Sequence, residues 1–160
     1  MGSGVSGLRA REVQPNEKYR MWSTFSRQSD GLVQRDPADN NVHCKGAFSD
    51  TTAVISTSDF NMNHLSLLFK DNENKKQYVM TAQTDQSIKA VDVDASSGSS
   101  YPDEAIFAAE YYWSYTIFRN QKYNQKYLGC DGNGNMTLVD MHSLDYPNPQ
   151  ALFILNKVPN

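Results

Sequence analysis

Apolar residues in this chain gather in runs of four to seven, rich in Val, Ile, Thr, Tyr and Phe, and separated by Asp, Asn, Gly, Ser and Pro. Runs of that length between turn-forming residues predict short strands. Twelve are expected, over residues 20–26, 31–35, 41–46, 52–57, 65–70, 77–82, 87–92, 105–109, 115–119, 126–130, 135–139 and 151–157. The best helical candidate, Pro102 to Glu110, is short and runs directly into Tyr111-Tyr112-Trp113. It is read as a turn followed by a strand.

The runs also repeat. Phe25, Phe69 and Phe118 each end an apolar run that a polar turn separates from a second one, and they lie 44 and 49 residues apart. Eight residues separate Phe69 from Tyr78, and again Phe118 from Tyr127. Such self-similarity marks a unit that cannot cover its own apolar face and must share a core with its copies. Twelve strands in three units gives four per unit, and closing them on one another removes exposed sheet edges. The expected fold is therefore all-β: a β-trefoil of three pseudo-repeats, with a six-stranded barrel and a hairpin cap. A two-sheet sandwich is the competing arrangement, which the triplication disfavours. Phe25, Phe69, Phe107, Phe118, Phe153, Tyr78 and Tyr127 are assigned to the core, because large side chains at repeated strand positions fill a small barrel.

With 160 residues the chain fits one domain, and a domain of that size buries roughly 70% of its unfolded surface. Residues 1–18 are polar, Gly/Ser-rich and then charged, and are set aside as a flexible leader or cloning remnant. Residues 19–160 are taken as the domain. A net charge of −3 and a pI near 5.5 leave no clustered basic surface for nucleic acid, heparin or anionic lipid. No apolar stretch approaches the ~18 residues of a membrane span, and the N-terminus lacks the apolar run of a secretory signal, so no membrane insertion is expected. Cys44 and Cys130 form neither a CxxC pair nor a Cys/His cluster. Both are read as free thiols at apolar strand positions, with a bridge between them left open.

Motifs that carry chemistry are sparse. Asp131-Gly132-Asn133-Gly134-Asn135 opens like a calcium loop, but Met136 stands where that loop needs glycine and His142 where it needs a bidentate carboxylate. The same five residues suit a hairpin turn. His43, His64 and His142 are isolated, with no nucleophile or metal-ligand spacing beside them. Asp92 and Asp94 read as a solvated strand end. No catalytic residue, cofactor or metal site is assigned, and no enzymatic activity is expected.

Several strand phrases carry a resemblance. Lys76-Gln77-Tyr78-Val79-Met80-Thr81-Ala82-Gln83-Thr84-Asp85-Gln86 is followed in order by Glu104-Ala105-Ile106-Phe107, Tyr115-Thr116-Ile117-Phe118, Tyr127-Leu128-Gly129-Cys130, Leu138-Val139 and Ala151-Leu152-Phe153-Ile154-Leu155. This succession resembles the interleukin-1 cytokine family, most of all its interleukin-33 and interleukin-18 branch, over roughly residues 65–158. The resemblance implies a monomeric, leaderless cytokine, extracellular with a cytoplasmic pool, that binds a cell-surface receptor of the interleukin-1 receptor type as agonist or antagonist. It also implies that Asp36 and Asp39, in an early acidic turn, and Asp131 and Asn133, in the penultimate hairpin, contact that receptor. The ending Gln150 to Leu155 is shared with fibroblast growth factors, but residues 129–150 hold no Lys or Arg for their heparin site. Trp22 and Trp113 lack the Gln-x-Trp context of ricin-type lectins. A lectin or cytoskeleton-binding trefoil of another type is the alternative reading.

Overall fold

Along β1 (Lys18–Ser23), Tyr19, Met21 and Ser23 point inward while Lys18, Arg20 and Trp22 point outward, the period of a strand with one face on a core. The computed structural model describes residues 12–93 and 100–159. Over them the chain is all-β, with thirteen antiparallel strands in one sheet and no α-helix. After β1 come β2 (Leu32–Arg35), β3 (Val42–Gly46) and β4 (Ile55–Thr57). A second stretch gives β5 (His64–Leu65), β6 (Leu67–Asp71), β7 (Lys76–Ala82), β8 (Ile88–Val93) and β9 (Phe107–Tyr112). The third gives β10 (Tyr115–Asn120), β11 (Lys126–Cys130), β12 (Met136–Asp140) and β13 (Phe153–Lys157).

The pairings run in a circuit. β1 pairs with β4, β4 with β6, β5 with β9, β9 with β10, β10 with β13, and β13 again with β1. Only Ser66 separates β5 from β6, and it redirects the strand. Its N–H donates to Ser58 Oγ at 2.8 Å and its Oγ donates to the Ala105 carbonyl at 2.6 Å. Twelve strands were expected, and this one-residue break makes the thirteenth.

The remaining strands form three hairpins, β2–β3, β7–β8 and β11–β12. Each leans on the next through one backbone bond: Ala90 N–H to Asn40 C=O at 2.8 Å, Leu138 N–H to Gln86 C=O at 2.9 Å, and Cys44 N–H to Gly134 C=O at 2.8 Å. All three acceptor residues are left-handed, with φ of 62°, 69° and 82° for Asn40, Gln86 and Gly134. That conformation turns each carbonyl toward its neighbour. A Cβ on Gly134 would stand 2.6 Å from Lys45 Cγ and 3.2 Å from the Cys44 oxygen, so glycine is required at that seam.

Side chains recur in the same threes. Met21, Phe69 and Phe118, then Ile55, Phe107 and Phe153, then Val33, Met80 and Leu128 all pack in one buried cluster, each contributing about 1.5–3 kcal/mol by burial. Two residues after Met21, Phe69 and Phe118, a polar side chain takes up the N–H groups of the following turn. Ser23 Oγ accepts from Phe25 and Ser26, Asp71 Oδ1 from Asn74, and Asn120 Oδ1 from Lys122 and Tyr123. Short 3-10 helices at Thr51–Ala53, Asp103–Ala105 and Pro149–Ala151 each end on a fully buried alanine. They occupy positions where strands were expected to begin.

Phe25 is a correction. It lies half-buried in the turn after β1, while Met21 holds the core place that Phe69 and Phe118 hold elsewhere. The other assigned aromatics, Phe69, Phe107, Phe118, Phe153, Tyr78 and Tyr127, are buried. The chain before Tyr19 is also packed: Val13 is buried in the main cluster, and its N–H donates to Tyr111 Oη at 2.9 Å.

The free-thiol reading is corrected too. Cys44 on β3 and Cys130 on β11 form a disulfide, with Cα atoms 6.4 Å apart. The seam between Cys44 and Gly134 brings the two strands within reach, a proximity invisible across 86 residues of sequence. Closing a loop of that length stabilises the fold by about 3–5 kcal/mol on the chain-entropy account. The Cys44→Ala/Cys130→Ala double variant is expected to lose that amount in urea unfolding. Unfolding midpoints and slopes equal to those of the unaltered protein would show that the bridge contributes nothing.

Candidate functional site

The acidic residues singled out in the sequence serve their own turns first. Asp36 Oδ1 accepts from Ala38 N–H at 2.9 Å, and the two carboxylate oxygens of Asp39 accept from the backbone and side-chain amides of Asn41, both at 2.9 Å. Asp131 Oδ1 accepts from the N–H groups of Asn133 and Asn135, both at 2.9 Å, which makes these five residues the hairpin turn expected of them. Asn133 is exposed at its tip. The four residues fall at two different seams. The Asp36–Asp39 turn leans on β8 through Asn40, whereas the Asp131 turn leans on β3 through Gly134. Of the other motifs, Asp92 pairs with Lys76 at 3.5 Å, and Asp94 lies outside the described residues.

His43 sits between these turns on β3, and its Nδ1 accepts from Lys45 N–H at 3.1 Å. Burial holds its pKa below the usual 6.5; Asp36, Asp39 and Asp50 pull it up and Lys45 pushes it down. Next to it, Arg35 is buried. Its guanidinium lies 4.1 Å from the Tyr78 ring centroid, donates to Asn40 Oδ1 at 2.9 Å and reaches Asp71 at 4.0 Å. Arg35 thus braces the left-handed Asn40 turn against the second hairpin.

A different region has the shape of a binding site. The loop after β4 and the segment entering the 3-10 helix at Asp103–Ala105 enclose a recess of about 500 Å³. Asp59, Asn61, Asp103 and Gln121 line it with carboxylate and amide groups, Ser58, Ser100 and Tyr101 with hydroxyls, and Met62, Leu65 and Ile106 with apolar surface. Its framework is held by bonds already in place. Ser58 Oγ donates to the Asp59 carbonyl at 2.8 Å, Asn16 Nδ2 donates to Asp59 Oδ1 at 2.6 Å, and Gln121 N–H donates to the Ile106 carbonyl at 2.9 Å. Burial, and secondarily the charge of Asp59, raise the Tyr101 pKa, so its hydroxyl stays protonated at neutral pH and can both donate and accept. His64, isolated in sequence, is part of this wall.

Sequence reading missed the recess because its walls come from segments some forty residues apart, with no local spacing to join them. The one available signal was the run Asp59-Phe60-Asn61-Met62-Asn63-His64, whose amides and carboxylate exceed what a single tight turn requires. Among the described residues no group of His, Cys, Asp and Glu is arranged to hold a metal ion. No helix among them is long and apolar enough to cross a membrane.

No protein-family model matches the chain, and no curated protein matches it. Among solved structures the chain is similar to part of the GlcNAcα1-4Gal releasing endo-β-galactosidase from Clostridium perfringens, with a TM-score of 0.64 at 15% identity over 89% of this chain. The likeness is one of all-β fold. This chain spans 33% of the length of that enzyme.

The depressed pKa of His43 has a sign that can be measured. Unfolded His43 takes up a proton near pH 6.5 and the folded state resists until lower pH, so stability falls as pH drops from 6.5 through the folded value. His43→Gln is expected to flatten the loss of unfolding free energy between pH 7.5 and 5.5. Parallel pH profiles for the two proteins would rule out a His43 contribution.

Proposed function

We propose that the chain is a β-trefoil module that binds carbohydrate in the recess between the β4–β5 loop and the Asp103–Ala105 segment. The circuit of six pairings, the three mutually bonded hairpins and the threefold recurrence of core residues support the trefoil assignment. The observation that carries the binding reading is the lining of the recess. A sugar offers many hydroxyls that donate and accept at once, together with apolar C–H faces. Asp59, Asn61, Asp103 and Gln121 supply planar acceptors and donors, while Met62, Leu65 and Ile106 supply apolar contact. A volume of about 500 Å³ falls within the usual range of small-ligand sites. The disulfide supports an extracellular setting, since such bonds persist in oxidising compartments.

A glycan array followed by calorimetry tests this reading. Asp103→Asn and Gln121→Ala are each expected to weaken binding of the array hit about tenfold, the loss of one good hydrogen bond, with little change in Tm. An array without saturable binding, or variants that bind as well as the parent, would remove the recess from consideration.

A second reading rests on the interleukin-1-type phrases. Those phrases fall largely on β7, β9, β10, β11 and β13, whose inward residues build the core, so they support a shared fold more directly than a shared receptor. In this reading a receptor of the interleukin-1 receptor type would meet the Asp36–Asp39 and Asp131–Asn133 turns. Immobilised receptor ectodomains decide it. Asp36→Lys combined with Asp131→Lys should slow association and leave Tm nearly unchanged. Unaltered association kinetics would exclude both turns.

A further inference from the structure

Seven non-glycine residues among those described hold a left-handed backbone: Asn16, Ser29, Asn40, Met62, Lys75, Gln86 and Trp113. Five are polar residues in turns, where that conformation is tolerated. Met62 and Trp113 are not of that kind. Each carries a large apolar side chain in a sparsely populated region, and each is almost fully exposed, 86% for Met62 and 85% for Trp113. Trp113 meets the neighbouring Tyr112 ring edge-on, with centroids 6.4 Å apart, but side chains this exposed add little to the core, and strain of this sort is characteristic of functional positions.

The two residues lie at the same end of the barrel. Met62 sits in the tight turn closed by mutual bonds between Asn61 and His64, and the Asn63 carbonyl accepts from Ala109 N–H at 3.3 Å. The register of β5 against β9, His64 opposite Ala108, therefore sets this turn beside Ala109 and Glu110. Trp113 stands at the tip of the β9–β10 hairpin, between the paired Tyr112 and Tyr115. It lies about three residues, or ~10 Å, further along the strand direction.

Chemistry narrows the partner. Residues 60–69 and 111–118 contain no Asp, Glu, Lys or Arg, so the two tips themselves carry no formal charge. Asp59 lies in the recess beside Met62, and Glu12 and Lys157 border the hairpin at Ser114, so the nearest charges are of mixed sign. The tip reads Tyr111-Tyr112-Trp113-Ser114-Tyr115, four aromatics in five residues, three of them tyrosines with an apolar ring and a polar end. Trp and Tyr of this amphipathic kind concentrate where hydrocarbon meets water. Two side chains projecting from separate tight turns also suit a soft, deformable layer better than a flat protein surface.

We propose that this end of the molecule seats reversibly on an uncharged lipid–water interface, with Trp113 entering first and Met62 following. An interfacial layer about 5–10 Å deep accommodates both residues without any part of the chain spanning the bilayer. The sequence expectation of no membrane insertion weighs only spans and basic surfaces, and this shallow seating revises it for the side chains of two turns. It shares Met62 with the proposed carbohydrate recess, whereas Trp113 lies outside that recess and carries the test.

The protein has two tryptophans, Trp22 and Trp113, so Trp22→Phe leaves Trp113 as the only indole reporter. On titration with phosphatidylcholine vesicles its emission is expected to shift to the blue and become shielded from iodide, equally at low salt and at 0.5 M salt. Trp113→Gly provides the sharper contrast. Glycine relieves the left-handed strain, so Tm should hold or rise, while the fraction co-sedimenting with vesicles falls roughly tenfold, the factor equivalent to about 1.4 kcal/mol. Co-sedimentation of the otherwise unaltered protein needs no change at Trp22 and stands if that variant folds poorly. Absence of vesicle binding, equal binding by Trp113→Gly, or a blue shift produced by soluble glycan or by raised protein concentration instead of vesicles would each overturn the proposal.

Discussion

Three backbone hydrogen bonds, each accepted by a residue in left-handed conformation, hold the hairpins to one another. Asn40, Gln86 and Gly134 turn their carbonyls out of their own hairpins and into the neighbouring one. Without that turn each hairpin would satisfy itself alone and leave its apolar face uncovered. With it, Cys44, Ala90 and Leu138 join the buried cluster that also holds Met21, Phe69 and Phe118. The disulfide and the Arg35 brace are both secondary to this arrangement, since each joins strands that the seams have already set side by side.

Different residue types stand at equivalent places of the three units, at the seams and in the core alike, and this explains why the repetition is legible in outline and not in detail. The apolar run lengths revealed the strands, and the spacing of Phe69 and Phe118 revealed the unit. The first unit uses Met21 where the others use phenylalanine, so Phe25 took the alignment four residues away from the true position. The three short 3-10 helices were read as strand starts because their buried alanines extend the apolar run that follows. The cysteine pairing and the recess share another cause of concealment. Both are contacts between segments far apart in the chain, which periodicity within a segment cannot report.

The split between core and surface also bears on the two functional readings. Phrases such as Tyr115-Thr116-Ile117-Phe118 and Ala151-Leu152-Phe153 are fixed by the packing of β10 and β13, where Phe118 and Phe153 rings lie 6.5 Å apart. Any protein of this architecture is under the same pressure at those places, whatever it binds. The recess and the exposed turns lie outside that core packing, although Asp36, Asp39 and Asp131 still cap their own turns and Asp59 holds Asn16.

Pairing of β1 with β13, in register from Tyr19 opposite Lys157 to Ser23 opposite Phe153, places the closing contact of the circuit between the first and last strands among the described residues. During synthesis β1 can meet β2 and β4 early, but its edge toward β13 stays open until residues 153–157 have emerged. Local hairpins can form early and cheaply, but the circuit closes only at the end, against the entropy of a long loop. The sequence therefore has to protect an unfinished sheet as well as stabilise a finished one. Charged Lys18 and Arg20 on the outer face of β1 are well placed to discourage association with other chains during that interval.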